Sequence, residues 1–359
     1  MPHICFMNTT PFWGGGERSH LEKAVAFAKR GYQVTVIADP QGPLYAKAQA
    51  AGLSGHALAL GKLSFLNPFA YIRLARFFKK AKVDAVVFNS SNDLKVGAIA
   101  ARRAGIPHVV YLRGLAMPIR NTHLNRYLLG TALTRVIANS AATKRMVLDT
   151  LPIPSEKVSV VHHGIDLSAG FPSAERPGRS RLVLGNAGRL TAQKAQHELV
   201  ELGRLLRERG IDFELHIAGE GEARGTLEAQ ITEHDLVDQI TLHGFVADMP
   251  AFYQSLDAFV LSSHWEGYGF VLVEAMRNGL PVLAYDTSSN PEIVANGQTG
   301  YLVPTGDVAA LADKVVLLKK DQDWRREMGR AGQRRVRQRF ELERQLDLFE
   351  AAVFGQEIS

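Results

Sequence analysis

The sequence predicts an α/β protein of two doubly wound, Rossmann-like units, and three observations carry that prediction. The chain has 359 residues, more than one core comfortably supports, so two domains are expected. Short apolar runs alternate with amphipathic helical patterns through both halves, as in parallel sheets covered by helices on both faces. The alternation breaks at residues 168–181, rich in Ser, Pro, Gly and charge, which read as a linker.

The elements follow in order. The apolar run His3-Ile-Cys-Phe-Met7 opens a strand at 4–8, and a helical pattern over 17–29 leads to a strand at 33–38. Further strands are expected at 57–60, 85–89, 109–112, 136–139 and 158–162, with helices over 68–80 and 94–103. Beyond the linker, strands are expected at 182–185, 213–218, 240–242, 258–261, 282–285 and 301–303, with helices over 198–209 and 309–319. The tail, 323–354, reads as long helices whose last part is expected to cross back onto the first domain. The domains are therefore placed at 1–170 and 171–359. Repeats with a period of 20–50 residues and low-complexity tracts are not evident.

Composition narrows the function. Apolar residues make up 46% and charged residues 22%, ordinary for a soluble globular protein. The single cysteine, Cys5, cannot form an internal disulfide, which suits a reducing cytosol. No stretch approaches the roughly 20 apolar residues of a spanning helix, and no signal-peptide pattern opens the chain. A soluble, cytoplasmic protein is expected. The net charge of +6 hides an asymmetry: residues 1–170 hold 21 Lys+Arg against 8 Asp+Glu, a balance of +13, and the remainder balances to −7. Such asymmetry points to an anionic partner for the basic half.

In open parallel sheets the ligand sits at the strand carboxyl ends, so polar residues just after strands are the candidates. The segment Glu266-Gly-Tyr-Gly-Phe-Val-Leu-Val-Glu274 joins a glycine-broken loop to an apolar helix start. Free backbone N–H groups and the helix dipole favour phosphate there, while two carboxylates favour hydroxyls. A ligand with both phosphates and many hydroxyls, such as a nucleotide sugar, satisfies the two demands. After the first strand come Gly14-Gly-Gly-Glu17, which would let amides approach a phosphate or simply make a tight turn. This is not the dinucleotide-binding Gly-x-Gly-x-x-Gly pattern. After strand 182–185 come Gly188-Arg189 and Lys194, cations able to reach one diphosphate. Ala218-Gly219-Glu220-Gly221 and His243-Gly244-Phe245-Val246 also follow strands. Each would serve equally as an ordinary turn, or would keep a cleft floor open and read a base edge.

Taken together, these pieces resemble the retaining glycosyltransferases of family 4, in which two Rossmann domains face each other across a cleft (the GT-B architecture). The resemblance spans nearly the whole chain and includes Pro281-Val282 and Gly300-Tyr-Leu-Val303. It implies a hexosyltransferase that binds a nucleotide-diphosphate sugar and needs neither metal nor other cofactor. Arg189, Lys194 and Glu266 would be catalytic: the cations on the diphosphate, where they stabilise charge as the glycosidic bond breaks, and Glu266 on the sugar hydroxyls. Glu274 would bind the ribose. Gly219, Phe245, Val246, Gly267, Tyr268, Gly269, Phe270 and Val271 would complete the donor site, with Gly15 and Gly16 closing from the other domain. The only Asp-x-Asp, Asp321-Gln-Asp323, lies far along the chain.

One departure matters. Many relatives place a histidine facing the sugar, and Arg113 stands in the equivalent segment. An arginine cannot act as a base at neutral pH. A front-face route, in which the leaving phosphate takes the acceptor proton, would not require one. Arg113 and Arg120 then become acceptor-binding candidates. His162 and His163 also follow a strand, with a structural role expected. The basic half, with segments 66–80 and 116–129, suggests an anionic lipid-linked saccharide acceptor and reversible docking on the inner face of the cytoplasmic membrane, as in lipopolysaccharide or exopolysaccharide synthesis. The alternatives are a nucleotide-sugar 2-epimerase and non-enzymatic nucleic-acid binding. The first leaves the basic half unexplained, and the second lacks a recognition motif, so nucleic acid is not expected as a partner.

Overall fold

The computed structural model describes residues 1–61, 63–174 and 179–356. The chain divides into one compact unit made of Met1–His163 with Glu343–Ser359, and a second made of Gly164–Leu342.

Among the described residues, the first unit carries strands β1 (His3–Met7), β2 (Gln33–Ala38), β3 (Ser54–Ala57), β4 (Ala85–Phe88), β5 (His108–Arg113), β6 (Arg135–Ala138) and β7 (Val158–Val160). The second carries β8 (Leu182–Ala187), β9 (Phe213–Ala218), β10 (Ile240–Gly244), β11 (Ala258–Leu261), β12 (Val282–Tyr285) and β13 (Gly300–Val303). Their orders are β3-β2-β1-β4-β5-β6-β7 and β10-β9-β8-β11-β12-β13, and the pairings are parallel. In each sheet the order reverses beside the first strand, between β1 and β4 and between β8 and β11. That reversal opens the crevice where α/β sheets take ligands.

The helices of the first unit are α1 (Gly15–Lys29), α2 (Pro43–Ala50), α3 (Pro68–Lys80), α4 (Ser91–Ala104), α5 (His123–Tyr127) and α6 (Ala141–Thr150). Those of the second are α7 (His197–Glu208), α8 (Arg224–Glu233), α9 (Met249–Ser255), α10 (Phe270–Arg277), α11 (Asn290–Ile293), α12 (Val308–Lys320) and α13 (Gln322–Arg339). The central strands are mostly apolar because helices bury both faces; every residue of β1, β4, β8, β11 and β12 is buried, the polar His3 and Asn186 included. α4 sits hard on β4, for a Cβ on Gly97 would lie 2.1 Å from the Phe88 ring.

The placement of one strand and the division between the units depart from the sequence expectation. The strand expected at 57–60 lies earlier, at Ser54–Ala57. It is the edge of its sheet and mostly exposed, so it pairs through backbone and needs no apolar side chains; Leu58 and Leu60, which suggested the later placement, pack from the following loop. The units divide after His163, ahead of the linker composition around 170. Residues from Gly164 onward are tied into the second unit, where Ile165 N–H donates to Phe340 O at 2.7 Å and Leu342 N–H to Ile165 O at 3.0 Å. Residues 175–178 of the expected linker lie outside the described residues.

The last helix, α14 (Leu342–Phe354), packs within the first unit. Phe349 is fully buried, with its ring centroid 5.6 Å from Phe27 and 6.4 Å from Phe6. Arg30 meets three of its carboxylates, Glu343 at 2.7 Å, Asp347 at 2.8 Å and Glu350 at 2.9 Å.

Beneath that packing lies His20 of α1, 1% exposed, edge-on to Phe6 and with neither ring nitrogen hydrogen-bonded among the described residues. Burial first, and then the charge of Lys23, holds its pKa down at about 3, against 6.5 for a free imidazole. Below pH 6.5 the unfolded chain takes up a proton that the folded one refuses, so stability falls as the pH drops from 6.5 toward 3. At pH 5 the loss is about 2 kcal/mol. The variant His20→Leu is expected to flatten this acid limb and leave stability above pH 7 little changed. Denaturant titrations across pH 4–8 check it; parallel curves for the two proteins would refute it.

Candidate active site

The carboxyl ends of β8, β9 and β10 are stitched together by main chain. Gly188 N–H donates to Ala218 O at 2.9 Å, Gly219 N–H to Gly244 O at 2.7 Å, and Leu190 N–H to Glu220 O at 2.9 Å. The approach is close enough to require glycine. Gly219 has φ +144°, and a Cβ there would lie 1.9 Å from Gly188 O; one on Gly221 would lie 2.2 Å from Leu190 O. Packing between the two strand exits therefore accounts for both glycines. The same stitching places Phe245 directly after Gly244, with 82% of its surface exposed. Val246 is half-buried beside it.

Beyond Gly188 the chain makes a short turn over Ala192–Lys194, closed by Ala195 in the left-handed region (φ +48°) and fully buried. A non-glycine residue held there is strained, and the strain sits next to Lys194. Lys194 Nζ donates to Glu266 Oε1 at 2.6 Å, with the two side chains only 16% and 7% exposed. Glu266 arrives from the loop that leaves β11. The pair thus bridges β8 and β11 at the point where strand order reverses. Arg189 is exposed, and among the described residues its guanidinium makes no hydrogen bond or ion pair; its main-chain oxygen accepts from Gln196 Nε2 at 3.0 Å. Lys194 is neutralised by its neighbour, while Arg189 offers an uncommitted positive charge.

The segment Gly267–Val271 runs into α10. Gly269 caps it in the left-handed region (φ +70°), where a Cβ would lie 3.0 Å from Asn290 Oδ1. Tyr268, Leu272 and Val273 are buried, which seats the helix start firmly, and Phe270 and Val271 are partly buried against the same core. Glu274 accepts from the Tyr253 hydroxyl at 3.0 Å. Burial, then the Glu274 charge, pushes that phenol well above its usual range, so it remains a donor.

The first unit supplies a second set of strand exits. Gly15 and Gly16 open α1, both exposed; a Cβ on Gly15 would meet nothing within 4 Å, and one on Gly16 would lie 3.1 Å from Asn89 Nδ2. Arg113 ends β5 half-buried, its Nη2 donating to Met117 O at 2.9 Å, with Nε buried and without a hydrogen-bond partner among the described residues. Arg120 is exposed in the loop before α5. His163 Nδ1 lies 3.0 Å from Ser19 Oγ, and His162 Nδ1 lies 3.1 Å from Asn139 O, both structural contacts. Asp321 caps α13 by accepting from Trp324 N–H at 2.8 Å, and Asp323 pairs with Arg326 at 3.4 Å. The Asp-x-Asp is a helix start.

Three sets of partners escaped sequence reasoning. Tyr253 bonds Glu274 from 21 residues away. Asp93, fully buried, accepts from Thr9 N–H at 3.0 Å and Ser90 Oγ at 2.6 Å, and so ties β1 to β4. Glu198 meets His264 at 2.6 Å. A first-turn glutamate reads as a favourable helix-dipole charge, and nothing local signals its distant partners.

The family model described as "Glycosyltransferase Family 4" matches residues 13–169, and "Glycosyl transferases group 1" matches residues 173–335. The chain belongs to the family 4 glycosyltransferases, with the GT-B fold. It is 25% identical over 341 residues to the Escherichia coli UDP-Gal:alpha-D-GlcNAc-diphosphoundecaprenol alpha-1,3-galactosyltransferase, covering 89% of this chain and 88% of that protein. It is 24% identical over 291 residues to the Staphylococcus aureus capsular polysaccharide biosynthesis glycosyltransferase CapM, covering 75% and 76%. Among solved structures, Anabaena HepE in complex with UDP superposes with a TM-score of 0.86 at 21% identity, covering 99% of this chain and 100% of that one.

Proposed function

We propose that this glycosyltransferase moves a hexose from a nucleoside-diphosphate sugar to a lipid-linked or envelope saccharide, with retention at the anomeric carbon and without a metal ion. The observation that carries the reading is the buried Lys194–Glu266 pair beside the uncommitted Arg189, at the point where the second sheet reverses its order. Arg189 and Lys194 hold the diphosphate and stabilise the charge that grows on it as the bond from the anomeric carbon breaks. Glu266 accepts from the sugar hydroxyls, and Glu274, steadied by Tyr253, accepts from the ribose. The acceptor oxygen bonds the anomeric carbon on the face the diphosphate leaves, and its proton passes to the departing phosphate oxygen. The names of the relatives support the diphosphate donor and the lipid-linked or capsular product.

Thermal stabilisation by a panel of UDP-, GDP- and dTDP-hexoses tests the donor. A ligand at 100 times its Kd adds about 2.7 kcal/mol. Stabilisation by none of them would overturn the reading. An NMR time course then follows the anomeric configuration of the product, and an inverted product would remove the retaining mechanism.

Among the described residues no helix is long and apolar enough to cross a membrane. In our reading α3 would take a narrower part in docking than its apolar content suggests. Leu74, Ala75 and Phe78 face the core, whereas Phe69 near the helix start and Arg73, Arg76, Lys79 and Lys80 are exposed. Attachment to the inner face of the cytoplasmic membrane would then be mainly electrostatic, with Phe69 as the apolar contact of the helix, at about 1 kcal/mol for each cation near an anionic surface, reduced by salt. Changing all four to glutamine is expected to lower partitioning onto phosphatidylglycerol vesicles at least tenfold. Unchanged sedimentation with vesicles would dismiss α3 as the contact.

A further inference from the structure

The loop from β11 into α10 is held from two sides. On the β8–α7 side, His264 N–H donates to Gln193 O at 3.0 Å, Gln193 Nε2 donates to Trp265 O at 2.9 Å, and Ser262 Oγ donates to Lys194 O at 2.9 Å. On the side of the segment after β12, Thr287 Oγ1 donates to His264 O at 3.0 Å, and Glu266 N–H donates to Ser288 Oγ at 3.2 Å.

One carboxylate joins the two sides. Glu198, in the first turn of α7, accepts from His264 Nε2 at 2.6 Å through one oxygen and from the Tyr285 hydroxyl through the other. Its side chain is 13% exposed, so water competes little for either oxygen. Tyr285 is fully buried at the end of β12, and its phenol is raised above the usual range by burial and by Glu198 beside it; it stays a donor. A first-turn glutamate would satisfy the helix dipole from solvent. Reaching two other elements is a separate task.

We propose that Glu198 is a positioning residue for sugar transfer, clamping His264 and Tyr285 so that the loop presents Glu266 to Lys194 and to the donor sugar. The inference rests on the function proposed above, since it needs Glu266 and Lys194 at the reacting end of the donor. A carboxylate that holds another group in line acts on the chemical step more than on binding, and a displacement of about 1 Å can cost as much as 100-fold in rate.

The test uses the full chain as wild type, Glu198→Ala, Glu198→Gln, Tyr285→Phe, Glu266→Gln and the double variant Glu198→Ala/Glu266→Gln. UDP-galactose, UDP-glucose and GDP-mannose serve as probes, scored by release of nucleoside diphosphate. Glu198→Ala is expected to lower kcat by about 10–100-fold while KM for the nucleotide sugar moves less than about threefold. Glu198→Gln, which keeps one acceptor, falls between it and wild type. The double variant loses no more than Glu266→Gln alone, because Glu198 acts through Glu266. Full kcat in Glu198→Ala, or losses that multiply in the double variant, overturns the proposal. Should Glu198→Ala fail to fold, Tyr285→Phe, which removes one hydroxyl, decides: kcat several-fold lower supports the clamp, and unchanged kcat removes it. A fully active Glu266→Gln, or turnover of none of the three probes, removes the functional reading itself and the inference with it. An impaired Glu266→Gln beside an unimpaired Glu198→Ala removes the inference alone.

Discussion

Replacing Lys194 by alanine is expected to lower turnover about 1,000-fold while the protein remains folded. A positioned cation aimed at the developing charge of a leaving diphosphate lowers the barrier by about 3–4 kcal/mol. The variant also leaves the Glu266 carboxylate in a place that is 7% exposed, 2.6 Å from where its counter-ion stood. Stranding one charge of a buried pair costs about 3–5 kcal/mol, and removing both charges costs much less. Stability and activity should therefore separate. The double variant Lys194→Ala/Glu266→Gln is expected to melt above Lys194→Ala alone and to remain as inactive. Melting curves and nucleotide release on the three proteins check this. Turnover restored in the double variant would mean that Lys194 only neutralises Glu266, and the proposed chemistry would fail.

The second large effect is on folding. Gly219→Ala is expected to destabilise the protein by on the order of 4 kcal/mol or more, or to leave it insoluble. Its φ of +144° is strained for any residue with a Cβ, and that Cβ would lie 1.9 Å from Gly188 O and 2.9 Å from its carbonyl carbon. Neither atom can retreat, because Gly188 N–H is bound to Ala218 O at 2.9 Å and Gly219 N–H to Gly244 O at 2.7 Å. Gly225 is the control. It lies in α8 with nothing within 4 Å of its Cβ position, so Gly225→Ala should be neutral or stabilising by up to about 1 kcal/mol. Equal melting temperatures for the two variants would show that the β8–β9 exit yields more readily than its geometry implies.

The sheets were legible because burial on both faces makes a parallel strand mostly apolar, and β2, β9, β11 and β12 fall where the apolar runs put them. β3 was misplaced for the converse reason. An edge strand of Ser-Gly-His-Ala is held by backbone, and its side chains carry no signal. Lys194 and Glu266 were legible as residues following strands, since a parallel sheet gathers those ends at one edge. Their ion pair was not, because 72 residues separate them. The partners Tyr253 and Tyr285 were hidden in the same way, since an aromatic on a buried element reads as core until its polar atom finds a match, and His264 in an exposed loop gives no local sign of its distant carboxylate. The division after His163 was obscured because linker composition marks where chain is irregular, whereas a domain edge is set by what the chain binds, here the Ile165–Phe340 hydrogen bond.

The placement of α14 bears on how this protein can be made. Phe6, Phe27 and Tyr32 lie in or beside the first strands and helix of the first unit, yet the rings that cover them, Phe349 and Phe354, come more than 300 residues later in the sequence. On the ribosome the first unit must wait, greasy side uncovered, until α14 has emerged. A fragment stopped at His163 would inherit the same deficiency permanently, and a synthetic peptide spanning 342–356 is the natural remedy to supply in trans.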